Sequence, residues 1–505
     1  MNKPQMMKRE HVLAGLLLAT FLAAIEGTVI GPAGPTIVGE LGNVSLLSWI
    51  FTAYLLTMAV TTPIFGKLSD LFGRKPVFMA GCALFALGSL LCMFANSMSS
   101  LIIYRAIQGM GAGSVIPITF TIIGDIYKLE ERGKIQGLIS SVWGVSSLVG
   151  PLLGGYVVSY LGWEWIFGFN VPLTLLAMFF IYRYLEENIA KRKARIDIPG
   201  AVTFTLGMTA LLLALTLGGQ TLAWSSPGLL LLAACAVIML GLFLWIEKRA
   251  AEPIVPLYLF RIRDLTVSYI AALLISSLVI GLTSFLPLWI QGVRGGDAAS
   301  SGLALLPMSI GWFTSSIIGG RLMFTIGSRL STMIGLSFIV LGGMGMAFLS
   351  NASPSWYLPL CTSLYGLGFG FCITVFTILA QSSVGFELRG ASTALSTFLR
   401  TLGQTIGAAA FGSWLNHRIA SGARESDLFS QGVTQSHINS LLAPHGQQID
   451  SQIALLLRDL LDNSVHSLFI LMAGIAVISW FAGLGLRKHQ AAGQPESLVP
   501  NREGA

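Results

Sequence analysis

Gly66-Lys67-Leu68-Ser69-Asp70-Leu71-Phe72-Gly73-Arg74-Lys75-Pro76 is an abrupt polar knot between two long apolar runs. Its four charges, Lys67, Asp70, Arg74 and Lys75, cannot lie in hydrocarbon, where nothing solvates a charge or an unpaired peptide group. With Gly66 and Gly73 at the corners, the stretch reads as a tight turn between two membrane helices at the water interface. Short loops rich in Lys and Arg stay cytoplasmic, which orients the helices on either side.

The knot is echoed as Gly320-Arg321-Leu322-Met323-Phe324-Thr325-Ile326-Gly327-Ser328-Arg329, again with two glycines seven residues apart and basic residues around them. A second register agrees. Gly109, Gly111, Gly113, Arg132, Gly133 and Gly150 correspond to Gly366, Gly368, Gly370, Arg389, Gly390 and Gly407 at one constant offset. Six matches on one offset, beside the turn echo, point to a duplicated chain.

Outward from these landmarks the chain stays apolar. It is 54% hydrophobic and 10% charged, with mean hydropathy +0.75, far from the roughly 25% charged residues of soluble proteins. This is an integral membrane protein. Its net charge of +7 follows from topology: Arg294, Arg418, Arg424 and Arg458 fall on predicted outer segments, Arg105 and Arg400 inside spans, and the other Lys and Arg on predicted cytoplasmic segments. No nucleic-acid partner is implied. The five cysteines sit in apolar runs without metal-ligand spacing, and the six histidines form no cluster, so neither a metal nor a cofactor is expected. No nucleophile and base occur together and no nucleotide loop is present, so an enzyme is not expected.

Apolar runs long enough to cross the roughly 30 Å core recur at 12–37, 47–66, 76–97, 99–126, 134–161 and 165–184, then at 199–219 and 226–246, then at 265–291, 300–326, 330–350, 356–382, 390–416 and 464–486. The expectation is an all-α membrane protein of fourteen spans with both termini cytoplasmic. It divides into a six-helix bundle (1–190), a linker with two inserted helices (191–258), a second six-helix bundle (259–490) with an outer loop at 417–463, and a tail (491–505). Within that loop Ile449, Ile453, Leu456, Leu457, Leu460 and Leu461 have the spacing of an amphipathic helix lying on the outer surface or against the bundle. Gly27, Gly31, Pro32, Gly34 and Pro35 are expected to loosen the outer half of the first helix.

Glu26 is the one carboxylate placed deep in a span. A charge at that depth costs about 2.5–3.5 kcal/mol on insertion scales, so it is expected to face a cavity or to be neutralised by a proton. Read functionally, it carries protons and attracts cations; the plainer reading is a carboxyl held by backbone that Pro32 and Pro35 set free. Arg105 lies about two turns inside the outer end of the fourth span and either shapes proton release from a nearby carboxyl or snorkels to headgroups. Gly144, Gly150, Pro151, Gly154 and Gly155 make the fifth span a kinked, tightly packed helix suited to act as a hinge or seal.

Asp70 and Asp125 fall at cytoplasmic helix ends beside Arg74 and Arg132. Asp70 either latches the amino end of a helix of the opposite half or makes an exposed ion pair worth little. Arg400 has Gln404 beside it and no carboxylate near in sequence. Tyr54, Gln108, Trp143, Asn170, Trp289, Trp312, Tyr365, Gln381, Arg400 and Gln404 are the candidates for lining a cavity, and each alone also fits packing or an interface anchor.

These residues resemble a known family. Gly66–Lys75 is similar to the loop signature of the major facilitator superfamily, Arg105–Gly113 to its fourth-helix signature, and Gly144–Gly155 to the fifth-helix signature of antiporters. Trp163-Glu164-Trp165-Ile166-Phe167 through Asn170-Val171-Pro172 resembles the sixth-helix start of the fourteen-helix drug:proton antiporter branch, the QacA/EmrB-like multidrug exporters. The resemblance implies two six-helix bundles with the substrate site between them. It also implies a charge relay of Asp70, Arg74 and Asp125 that gates transport, Arg105 assisting proton exchange, and Glu26 joining proton and substrate recognition. Glu26 stands where that branch often has Asp, Gly-Pro-Ala-Gly-Pro (31–35) replaces an Asn-containing run, and Glu164 replaces a basic residue. The expected activity is proton-driven export of small amphipathic, cationic compounds across the cytoplasmic membrane by a monomer in the lipid bilayer. A dedicated exporter of one metabolite, antibiotic or lipid, and a membrane sensor or scaffold without turnover, are the rival readings.

Overall fold

Glycine makes the turn at 73 but not at 66. In the computed structural model, which describes residues 8–41, 46–187, 197–218, 225–250, 252–295, 298–350, 353–425 and 451–487, α2 (Leu47–Phe72) and α3 (Arg74–Met93) are joined by one residue. That residue, Gly73, has φ 105°, where a Cβ would be strained. Its echo Gly327, φ 86°, joins α11 (Ala298–Ile326) to α12 (Ser328–Ala347) in the same way. Gly66, expected at a corner, instead lies within α2. Its bare backbone lets α14 (Arg389–Glu425) close in: a Cβ there would overlap that of Ala394 and sit 3.0 Å from the Gly390 carbonyl oxygen.

The remaining elements are α1 (Arg9–Leu41), α4 (Met98–Ile126), α5 (Leu129–Leu161), α6 (Glu164–Gly168), α7 (Asn170–Tyr184), α8 (Ile198–Leu217), α9 (Pro227–Glu247), α10 (Arg263–Gly292), α13 (Tyr357–Ser382) and α15 (Ser451–Gly483). The fold is all-α. With α6 and α7 forming one span, there are fourteen among the described residues, two bundles of six and the inserted pair α8 and α9. Twelve are apolar enough over their length to be membrane helices on composition alone. The other two are α5 and α14, and both pack across the halves, α5 on α11 and α14 on α2. Their polar residues have protein to face instead of lipid.

The duplication is visible in the packing. α1 on α5, α2 on α4, α3 on α4 and α3 on α7 recur as α10 on α14, α11 on α13, α12 on α13 and α12 on α15. Each half has its own apolar core. Phe78, Ile118, Ile122, Ala177 and Ile181 lie in the first, and Leu278, Leu282, Leu336, Phe369 and Phe469 in the second. α8 rests on α2 and α14, whereas α9 leaves Leu231, Val237 and Ile238 exposed, as a lipid-facing helix does.

Two expectations are corrected. α1 is unbroken through Gly27, Gly31, Pro32, Gly34 and Pro35; packing over its length outweighs the few hydrogen bonds that two prolines remove. From Ser451 the outer stretch is helical and packs against the bundle, one of the two placements expected, but it is continuous with the last span. α14 continues to Glu425, and α15 starts at Ser451 and runs into the last span, because the stripe of Leu457, Leu460, Leu461, Val465 and Leu468 stays in register and packs into the second core. Ile449, the linker residues Lys191, Arg192, Lys193 and Arg195, and the tail 491–505 lie outside the described residues.

Candidate functional site

Glu26 does not face an open cavity. It is fully buried, and the groups on its carboxylate are side chains of the first half. Arg105 on α4 forms an ion pair with Oε2. Gln108, one turn on, donates from Nε2 to Oε1 at 2.9 Å, and Asn170 at the start of α7 donates to the same oxygen. Gln108 Nε2 also reaches Ser89 on α3 at 2.8 Å, so four helices converge here. Arg105 is held in turn: its Nε donates to the Ile50 carbonyl at 3.1 Å and its guanidinium lies 4.3 Å from the centre of the Tyr54 ring. Among the described residues the groups on its carboxylate are donors. Arg105 has therefore not snorkelled outward, and the backbone near Pro32 plays no part among the described contacts. Such pairing is what makes two buried charges tolerable in a span.

A second cluster ties the halves together on the side of the Gly73 turn. Asp70 accepts the backbone N–H groups of Gly390 (2.9 Å) and Ala391 (2.6 Å), at the start of α14, and pairs with Arg74 Nη2 at 2.8 Å. A carboxylate there meets both the orphan donors and the positive end of a helix dipole. Arg74 is nearly fully buried. It reaches Asp125 with Nε (3.1 Å) and the Phe386 carbonyl with Nη2 (2.8 Å), and its guanidinium lies over the Phe386 ring. Asp125 also pairs with Arg389 of the second half, not with Arg132. Arg132 instead donates to the Gly124 and Tyr127 carbonyls, as Arg389 does to Gln381, the repeat mate of Gly124. Gln381 completes the latch by donating to the Phe120 carbonyl at 2.9 Å.

The family model described as Major Facilitator Superfamily matches residues 16–408. The chain belongs to the Major Facilitator Superfamily. It is thus a membrane transporter by family and not an enzyme. Multidrug transporter protein MdtP of Bacillus subtilis is 37% identical over 81% of this chain and 76% of its own length. Multidrug resistance protein 3 of the same organism is 37% identical over 80% and 79%. Among solved structures, the human organic anion transporter MFSD10 shares the fold, with TM-score 0.63 at 15% identity over 95% of this chain and all of that one.

Within this superfamily fold the other candidate residues divide sharply. Trp289 is buried, donates to Asp462 at 2.7 Å and carries Arg294 over its ring, while Tyr365 and Trp312 pack on Phe369 in the second core. Trp143 is exposed on α5, and Arg400 and Gln404 are half-buried on α14. α5 runs unbroken through Gly150 and Pro151, and Gly144 passes near Ser309 of α11. The surroundings of Pro151, Gly154 and Gly155 lie outside the described residues. Two acids escaped the sequence reading: Glu187 accepts the Arg74 and Lys75 amides at the start of α3, and Glu252 pairs with Lys67 at 2.7 Å. An uncapped helix start after Gly73 was the available signal for Glu187.

α5 and α11 meet backbone on backbone at one point, where a Cβ on Gly133 would lie 2.7 Å from the Gly320 Cα. It mirrors Gly66 against Gly390 and Ala394. Gly133→Leu is expected to wedge the turn side apart. Overpacking of about 1–3 kcal/mol corresponds to at least roughly a fivefold loss of the closed state. Disulfide trapping between cysteines placed at the ends of α5 and α11 should fall accordingly; unchanged trapping would show that the added side chain is accommodated with the helices still together.

Proposed function

We propose that the chain is a proton-driven antiporter that exports small amphipathic compounds, cationic ones foremost, from the cytoplasm across the cytoplasmic membrane as a monomer, with both termini cytoplasmic. The observation that carries this reading is the buried Glu26, met by donors and paired with Arg105. In the proposed cycle Glu26 takes up a proton as these donors draw back. Protonation cancels its charge, loosens Arg105 and makes the movement of α1 against α4 and α7 less costly. A cation arriving from the cytoplasm competes for the same carboxylate and displaces the proton; protonation from outside releases the cation.

The latch of Asp70, Arg74 and Asp125 is the gate on the cytoplasmic side, assigned there by the basic turn. It is shut in this conformation, so α5 and α14 are the elements that must separate from α11 and α2 for the cytoplasm to gain access. The drug-transporting names of the Bacillus relatives support the substrate class.

Efflux of ethidium from cells expressing the chain tests the reading. Efflux is expected to collapse on adding an uncoupler, and its persistence with the proton gradient dissipated would end the antiport model. One monovalent cation against one proton moves no net charge, whereas one net charge is worth about 2.3 kcal/mol per 100 mV. Exchange in proteoliposomes should therefore be nearly indifferent to an imposed potential.

A further inference from the structure

We propose that Asp197 and Glu247 form a second proton-binding site, apart from Glu26, whose proton holds the segment between the inserted helices and the second bundle against the turn-side gate. This proton is regulatory and lies outside the antiport cycle.

Each carboxyl gives one oxygen to backbone. Asp197 caps α8 through Oδ1, which accepts the Gly200 amide at 2.9 Å, and Glu247, the last residue of α9, accepts the Val255 amide through Oε1. The oxygens left over, Asp197 Oδ2 and Glu247 Oε2, are buried and take no donor, yet the two carboxyls lie within hydrogen-bond reach of each other. Glu247 is only 3% exposed. Acceptor facing acceptor out of water is tolerable when one of the two carries a proton and donates it to the other.

Among the described residues no cation takes the place of that proton. α8 has no titratable side chain, Lys248 and Arg261 are exposed, and Arg249 lies over the Trp245 ring. Lys67 of α2 and Glu252 hold each other. At the start of α10, Arg263 donates to the Gly485 carbonyl and Asp264 accepts the Arg487 amide.

The pair controls residues 252–259, which run from α9 toward α10. Ile254, Val255 and Leu259 are buried in one apolar cluster with Val60 of α2, Phe243 of α9 and Leu395 of α14. Glu252 pairs with Lys67, three residues before Asp70 on α2. The segment therefore shares a core with α2 and α14, the two helices that the Asp70 latch joins. With the proton in place, the carboxyls are bonded to each other and Glu247 keeps its hold on the Val255 amide. When the proton leaves for the cytoplasm, two anions face each other, Glu247 turns toward water, and the segment loosens with Glu252 on it. The form shut on the turn side is thus favoured by an acid cytoplasm and its opening by an alkaline one. Such a device restrains proton entry once the cytoplasm is already acid.

The test uses the full-length protein in nanodiscs, with spin labels on the turn-side ends of α2 and α14, read between about pH 6 and about pH 9. Glu247→Gln fixes the protonated arrangement, because the amide oxygen still accepts from Val255 and its N–H donates to Asp197. Asp197→Asn does so from the other side, since Asn caps a helix about as well as Asp. At the alkaline end the open-to-closed ratio of wild type is expected to exceed that of Glu247→Gln by about fivefold or more, the lower end of coupling between two sites; at the acid end the two should agree. Asp197→Asn should follow Glu247→Gln. The variant is the reference because the Asp70 carboxylate acts with the opposite sign, shutting the latch in its charged form. Parallel profiles for wild type and Glu247→Gln overturn the inference, and so does an Asp197→Asn profile that matches wild type. Glu26→Gln should keep the wild-type profile; a flattened one would assign the titration to Glu26 and remove the second site. No transport is involved in this readout, so the inference fails or stands separately from the antiport reading.

Discussion

Glu26→Gln is expected to reduce proton release on substrate addition from stoichiometric to undetectable, and concentrative transport by roughly a hundredfold or more. The magnitude follows from what the substitution leaves behind. Arg105 is 1% exposed and would keep its charge with no carboxylate beside it. Removing one partner of a buried pair typically costs about 3–5 kcal/mol, and about 1.4 kcal/mol is a factor of ten. Glutamine retains one acceptor for Gln108 or Asn170, and Arg105 retains the Ile50 carbonyl, which puts the loss of stability toward the lower end. The double variant Glu26→Gln with Arg105→Gln separates folding from coupling: its thermal stability should recover relative to the single variant, and its proton release should not. Glu26→Asp keeps the titrating group and should keep release. Proton release persisting in well-folded Glu26→Gln, read with a pH dye in detergent, would place the carrier elsewhere and remove the central step of the proposal.

The spans and the duplication were legible because hydrocarbon tolerates so little. Long apolar runs, one basic knot and its echo are enough to set fourteen helices and two halves, and Gly73 and Gly327 then share one backbone conformation. Partners were a different matter. Glu26 and Arg105 stand 79 residues apart, and Asp125 finds Arg389 at a separation of 264. Neither distance leaves a local pattern. Local rules misled at α1 and at 451–463, where breakers and a polar stretch read as interruptions although the apolar face continued into the neighbouring core. Asn170 entered the reading as part of the sixth-helix motif and as a cavity candidate, with no partner assigned. Its role as a donor to Glu26 depends on α7 beginning at that residue, next to α1.

Asp70→Asn is expected to open the turn side. The carboxylate makes two charge-assisted bonds to the first amides of α14 and a third contact to Arg74, and it joins the two halves directly. An amide side chain of the same shape keeps one oxygen, points an N–H group at another N–H group, and no longer favours the positive end of the helix. Charged hydrogen bonds contribute about 1.5–3 kcal/mol and the helix terminus up to about 2 kcal/mol, so a net loss of about 2 kcal/mol is a restrained figure. That is roughly a thirtyfold shift of the closed-to-open ratio. Arg74 would then have Asp125 as its remaining carboxylate and would draw it from Arg389, loosening the second tie at the same time. Distances between spin labels on the turn-side ends of α2 and α14 should lengthen in a large fraction of molecules, and steady-state efflux should fall because return to the form shut on the turn side becomes slow. Asp70→Glu, a carboxylate one methylene too long, should lie between the two. A distance distribution in Asp70→Asn that matches wild type would mean that apolar packing, with Gly66 on Ala394 and Gly133 on Gly320, holds the gate shut without the latch.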